Sequence, residues 1–458
     1  MKTSMNQEEK FQMMTTAPIP GLIGRMAVPT IISMLITSFY NMADTFFVSK
    51  IGTSATAAVG VVFPIMAVIQ ALGFFFGHGS GNSISRRLGA KDTDTAGQLA
   101  SLGFFSALFC GLLVTIMGCL FLEPLALALG STETILPYTK NYLKIILLGA
   151  PYMTAQLVLN NQLRFQGNAF YAMIGITSGG ILNIFLDPLF IFVFDMGVSG
   201  AAWATILSQL ISFLLLLVGH RISGCVPLKL TSLRKIKRNL KIIAGGGLPS
   251  LFRQGLGSLA ILALNWAAKP YGDAAIAAMS IVSRISQFAS SSLIGFGQGF
   301  QPVCGFNYGA KRYDRVMGAF WFCVKVATCV LIVIAALGFY FASPLISLFR
   351  KDDLQVISIG ATALRLQCIA LPLTGWVIMN NMMTQTIGKT FRASLLAVAR
   401  QGIFFIPAIL ILPDFLGISG IQLAQPTADI CAFLLAVILN RSVIKEMKNQ
   451  EQSLDHTS

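Results

Sequence analysis

The sequence predicts an all-α polytopic membrane protein: twelve transmembrane helices in two parallel six-helix bundles, with both termini cytoplasmic. Three observations carry this. Of 458 residues, 55% are hydrophobic and only 11% charged, a composition foreign to soluble domains. Apolar stretches recur at the length of a bilayer. The second half of the chain repeats motifs of the first.

A helix needs about 20 residues to cross roughly 30 Å of hydrocarbon. Runs such as 192–219 and 328–342 meet that need in whole or in large part and lack strict alternation, so helices rather than barrel strands follow. The first span, 25–48, follows a polar N-terminal segment and ends FYNMADTFFVSK; the second, 56–80, rises through GTSATAAVGVVFPI and ends at GHG. Span 97–121 follows GAKD, 139–162 ends in LNNQ, 171–194 carries GGILNIFLDPLFIF, and 198–219 starts at GVSG. After a basic connection come 243–266, 275–301 from GDAAIAAMSIVSRI to GQG, 317–341 after a second GAK, 358–384 with NNMM, 393–412, and 418–440 from GISG. Pro29, Pro64, Pro151, Pro188, Pro249, Pro372 and Pro407 fall inside these spans and Pro302 directly follows one, and each removes a backbone donor and favours a kink.

Most of the 33 Lys and Arg fall before the first span, in the loops on that same side and in the tail, which places both ends in the cytoplasm. The formal charge of +15 is therefore spread over one membrane face and argues against a nucleic-acid partner. The densest cluster, Lys229, Arg234, Lys235, Lys237, Arg238 and Lys241, suits anionic lipid headgroups. The expected organisation is a cytoplasmic segment 1–24, a first lobe 25–219, a basic linker 220–242, a second lobe 243–441 and a cytoplasmic tail 442–458. Eight cysteines without a CxxC spacing imply neither disulfides nor metal.

Shifting the sequence by 220 positions lays GTSATAAVGVVFPI from Gly52 on GDAAIAAMSIVSRI from Gly272, GHG at 77–79 on GQG at 297–299, and GAK at 89–91 on GAK at 309–311. With a one-residue slip, LNNQ at 159–162 meets NNMM at 380–383; GVSG at 197–200 meets GISG at 417–420. An even number of helices per copy gives parallel repeats, an arrangement in which secondary transporters place the substrate path between bundles.

Asp44 and Asp187 lie within apolar spans, and a charge there is a functional-site hypothesis by default. Tyr40 and Asn41 share a helix face with Asp44, as Asn183 does with Asp187, and both acids lie about two turns from the outer end. Desolvation and a neighbouring carboxylate both favour the neutral form of a carboxyl group, which suits loading a proton on one side and releasing it on the other. Na⁺ held by the carboxylates with Asn and Thr oxygens fits the same residues, and a hydrogen-bonded pair that merely pins two helices is the structural alternative. Neither acid has an acidic counterpart: Asp44 falls on Leu264 and Asp187 on Pro407 or Ala408.

Asp429, aligned with Gln209, is the intramembrane acid of unsettled role, with Arg284, Arg365 and Arg400 as candidate partners. Arg253 and Lys325 are expected to snorkel to a cytoplasmic end. Gln70, Gln156, Asn160, Asn161, Thr205, Asn380 and Asn381 serve either helix contacts or a cavity. No catalytic motif is present: there is no Walker A loop, and His78, His220 and His456 form no ligand cluster. The protein is not expected to be an enzyme or to need a cofactor.

YNMAD, NIFLDP, GHGSGNSISRRLGAKD and its echo GFGQGFQPVCGFNYGAKR together resemble the multidrug and toxic compound extrusion (MATE) family, and within it bacterial exporters of the MepA and DinF-like kind. The resemblance spans nearly the whole chain. It implies a bacterial inner-membrane antiporter, acting as a monomer, that exports diverse and often cationic small molecules against an inward H⁺ or Na⁺ gradient. It further implies that Asp44 and Asp187 form the cation or proton site, with Tyr40, Asn183, Thr205 and Asn160 as hydrogen-bonding partners and no metal beyond Na⁺ there. The sequence departs from the NorM-like branch, since 243–266 and 358–384 contain no Asp or Glu. A lipid-linked sugar flippase of related fold is the competing reading, with fourteen helices and a cationic cavity as its expected marks; a channel or membrane scaffold would ignore transmembrane gradients.

Overall fold

The computed structural model describes residues 6–230, 235–350 and 353–455. Every regular element among them is helical. The first half comprises α1 (Gln7–Thr16), α2 (Ile19–Ser49), α3 (Thr53–Gly89), α4 (Thr93–Leu120), α5 (Leu122–Ala128), α6 (Leu136–Phe165), α7 (Ala169–Pro188) and α8 (Gly197–Ile222). The second comprises α9 (Ile236–Ala268), α10 (Asp273–Gly309), α11 (Tyr313–Tyr340), α12 (Ala342–Ser347), α13 (Leu354–Thr386), α14 (Thr390–Val398), α15 (Ile406–Leu416) and α16 (Ile418–Asp455). Ten helical stretches among the described residues are long and apolar enough to cross a membrane. α9 and α10 fall outside that set: α9 carries Lys237, Arg238, Lys241 and Arg253, and α10 carries Asp273, Arg284 and several Ser and Gln.

The internal repeat reappears as geometry. α3 and α10 each contain 37 residues and start 220 positions apart. Both are preceded by a glycine at positive φ, Gly52 at 148° and Gly272 at 86°. Both end in the GAK turn, where Lys91 and Lys311 hold the left-handed region at φ 59° and 60°. Non-glycine residues seldom take that conformation, so the shared motif encodes a shared turn. Asp92 and Asp353 cap α4 and α13 through their carboxylates, closing orphan N–H groups.

The helices outrun their apolar windows. α3 continues to Gly89 and α10 to Gly309 because Asn82, Ser83, Ser85 and Asn307 are buried and bonded within the protein. α7 and α14 each run into a π-helical segment, Leu189–Val193 and Ala399–Phe405. Pro188 lacks the N–H that would continue a regular ladder there.

The two halves cross: α2 packs on α10 and α3 on α9. They meet closest toward the GAK turns. A Cβ on Gly79 would strike the Ile243 carbonyl, and one on Gly299 the Ala27 backbone, so these helices approach backbone to backbone. Thr386 Oγ1 donates to Asn82 Oδ1 at 2.8 Å, and Arg86 donates to the Thr386 carbonyl. Toward the other end the contacts between α2 and α10 reach Ser38–Ser291 at 3.2 Å and the edge-packed rings of Phe39 and Phe288.

The N-terminal segment contains a docked helix. Asn6 and Glu9 form a reciprocal capping box for α1. Lys10, 1% exposed, donates to the carbonyls of Ser223 and Gly224 after α8, and burial pushes its ammonium below the usual lysine range. On the far side, Asn307 and Arg312 donate to the carbonyls of Met14 and Thr15 at 2.9 and 2.7 Å. α1 thus bridges both halves beside the GAK turns.

Candidate functional site

Between the halves lies a cavity of about 280 Å³, lined by α2, α3, α6, α7, α8, α9 and α10. Its walls combine Met34, Met66, Met153, Met173 and Phe74 with many neutral polar groups, and its charged residues are Asp44, Arg164 and Arg253. Deformable Met side chains and a few oriented polar groups are the lining of a site for small molecules.

Asp44 lies on the half-buried face of α2 and opens on this cavity with Tyr40, Asn41, Thr205 and Asn160. Asp187 does not line it. It is 0% exposed, set behind the wall on the last turn of α7, within electrostatic reach of Asp44. The two helices are held close where Tyr40 packs on Gly180. Asn183 Nδ2 donates to Asp187 Oδ1 at 3.4 Å, long for such a bond. Asp44 Oδ1, Asp187 Oδ2 and Asn183 Oδ1 are buried without a hydrogen-bond partner among the described residues. Buried oxygens are rarely left so, and these three suit either carboxyl protons or a small hard cation.

Although they share a helix face, the side chains of Tyr40, Asn41 and Asp44 make no hydrogen bond to one another. Tyr40 turns instead to Gln209 of α8, and Asn41 is exposed. Asn160 donates to the Ala172 carbonyl at 3.0 Å, and its repeat partner Asn381 makes the same bond to Ala393 at 2.8 Å. Sequence reasoning missed Tyr142, which is 1% exposed, beside Thr205 and within reach of both acids. Nothing in its surroundings in the sequence marks it.

The closed end of the cavity holds a polar network spanning both halves. Arg164 donates to Asn161 Oδ1 at 2.6 Å and to Gln298 Oε1, and lies 3.3 Å from His78 Nε2. His78 Nδ1 shares a hydrogen bond with Ser250 Oγ at 3.0 Å, which also accepts from Gln385 at 2.9 Å. His78 and Gln298 are repeat partners, as are Arg164 and Gln385, so the GHG and GQG echo was the signal for this network. Arg253 was expected to snorkel; it lines the cavity and donates to Asn381 at 3.3 Å. Asp429, in contrast, is paired with Arg400 at 2.6 Å and lies outside the cavity lining.

The MatE family model matches residues 29–189 and 249–411, one match in each half. The chain belongs to the MatE family. A curated relative, multidrug export protein MepA of Staphylococcus saprophyticus, is 28% identical over 437 residues, covering 95% of this chain and 96% of the relative. Among solved structures, an outward-facing multidrug resistance MATE transporter superposes with a TM-score of 0.91 at 27% identity, covering 98% of this chain and 100% of that one. A MOP-superfamily transporter from Pyrococcus furiosus Vc1, described as having a binding pocket of reverse polarity, gives 0.90 at 27% identity with the same coverage. The resemblance read from YNMAD, NIFLDP and the paired GAK motifs is borne out: the chain is a MatE-family, multi-pass membrane protein.

Proposed function

We propose that this MatE-family protein moves drug-sized, mainly cationic molecules out of the cell by alternating access, in antiport with H⁺ or Na⁺ handled at Asp44 and Asp187. The multidrug efflux activity follows from the family match and the MepA relatives. One observation carries the ion assignment: Asp44 opens on the cavity while Asp187 is sealed behind it, and both acids keep a buried oxygen without a partner. A site with one face to the cargo and one face to a neighbouring acid links the binding of the two. Tyr40, Asn41, Asn183, Thr205 and Asn160 are its supporting polar groups.

The chain acts as a monomer in the bacterial plasma membrane with twelve spans, α9 and α10 supplying the two that composition alone leaves out. Both termini are cytoplasmic, and the basic face rests on anionic headgroups; the Lys and Arg distribution supports this. The lobes 25–219 and 243–441 rock about the basic linker. In that orientation the cavity opens outward. No cofactor is required beyond the coupling ion.

The test is ethidium efflux from vesicles containing the reconstituted protein, with a pH gradient and a Na⁺ gradient imposed separately. Efflux driven by one gradient identifies the ion; flux indifferent to both overturns the antiport reading.

A further inference from the structure

We propose that the closed end of the cavity is an anion subsite, built on Arg164 and Arg253, that receives a carboxylate or phosphate group of the cargo. This rests on the export reading and deepens its substrate class: among cationic cargoes, those that also carry an acidic group are bound best.

The charge count of the lining comes first. Among the described lining residues Asp44 is the one acid, set against two guanidinium groups. No carboxylate lies within ion-pair distance of Arg164 or Arg253 among the described residues. Their acceptors are neutral: Asn161, Gln298 and a ring nitrogen of His78 for Arg164, and Asn381 for Arg253. Amide oxygens satisfy N–H groups without cancelling charge. Arg164 is 2% exposed, and its Nε–H is buried with no acceptor among the described residues. A buried, unpaired cation is costly, and guanidinium is the side chain best shaped to hold carboxylate or phosphate.

Position comes second. Along α2 the lining runs from Thr30 to Asp44, a rise of roughly 20 Å. On α6 it ends at Arg164, and on α9 it includes Ser250, Arg253 and Gln254, all grouped with His78 and Gln298 at the closed end. Cation-attracting and anion-attracting groups therefore occupy opposite ends of one cavity. Between them Phe74, Met153 and Met173 offer an apolar wall for the body of the molecule.

The test uses the full-length protein in phosphatidylcholine nanodiscs and two dyes that differ at one group: rhodamine 110, with a free carboxylate, and its methyl ester rhodamine 123. The readout is the ratio of their dissociation constants by fluorescence polarisation. The wild type is expected to prefer the carboxylate. Arg253→Gln is expected to lower that preference about tenfold, the scale of one charge-assisted hydrogen bond, and Arg253→Lys to retain most of it. Arg253 carries the test because Arg164 also ties the halves together. A wild type that prefers the ester, or a ratio unchanged in Arg253→Gln, overturns the proposal. Competition by phosphatidylglycerol that depends on Arg253 would support the subsite and assign its anion to a lipid headgroup. A carboxylate preference without gradient-driven efflux of either dye would sink the transport reading alone; export of the ester without that preference would sink the subsite alone.

Discussion

Arg400 donates its Nε–H to Asp429 Oδ1 across 2.6 Å, and Gln425 donates to the same oxygen at 3.0 Å. The repeat equivalent of Asp429 is Gln209, which lines the cavity beside Tyr40, and that of Arg400 is Gly179 or Gly180. The second half has thus committed its intramembrane acid to a structural pair. Removing one partner strands a buried charge, so Asp429→Asn is expected to destabilise by about 3 kcal/mol, and Arg400→Met with Asp429→Leu to recover most of it. Thermal melting in detergent measures this. The double variant should still pump ethidium; a folded double variant without gradient dependence would place Asp429 in the coupling machinery.

Asp44→Asn and Asp187→Asn are each expected to abolish gradient-driven efflux while the protein stays inserted and folded. Asn keeps the volume and replaces an unpartnered oxygen with an amide that cannot exchange a proton. Normal ethidium efflux from vesicles bearing either variant would remove that acid from the mechanism.

Tyr142→Phe takes away a buried hydroxyl beside Thr205 and within electrostatic reach of both acids. Loss of its hydrogen bond to Thr205, close to both acids, predicts efflux slowed roughly fivefold with folding intact. An unchanged rate would show the hydroxyl to be a packing feature of α6.

Deleting residues 1–16 should loosen the closed end, because α1 reaches Ser223 on one side and Asn307 on the other. Cys304, 0% exposed on α10, is a native reporter. In a chain whose other cysteines are replaced, maleimide labelling of Cys304 should become several-fold faster after the deletion. Equal rates would mean that α1 only rests on the surface. The docking also has a pH sense: with the Lys10 ammonium held below its ordinary range, the buried charge weighs against docking at neutral pH. That burden lifts as pH rises through the lowered value towards the ordinary one.

Gly79→Leu places a side chain where the Ile243 carbonyl now sits. The halves are then expected to stay apart at that end, with spin-label distances across the GAK turns lengthened and efflux lost. Distances equal to those of the wild type would mean that neighbouring backbone yields instead.

Much of this architecture was legible because it is periodic or repeated: apolar runs gave the helices, and shared motifs gave α3 and α10 equal lengths and equal turns. What escaped was the part paid in polar contacts. Hydropathy stopped α3 near residue 80, whereas buried Asn82 and Ser85 carry it on. It left Arg164 outside its span and sent Arg253 to the surface, although both are in the cavity wall. Asp44 and Asp187 stood out as lone charges in apolar sequence; which of them faces the cavity depends on how α2 and α7 pack, and local pattern does not report that. The π segments are equally invisible to a 3.6-residue period.

At 37 residues each, α3 and α10 are roughly 55 Å long, against roughly 30 Å of hydrocarbon. Their surplus lies at the GAK end, where Asn82, Arg86 and Thr386 join the halves. On the proposed membrane placement, parting of that seam frees its polar groups at the depth of headgroups and water rather than of acyl chains. If the halves rock as proposed, those hydrogen bonds break where solvent can replace them at once, and the change of state need not climb a desolvation barrier.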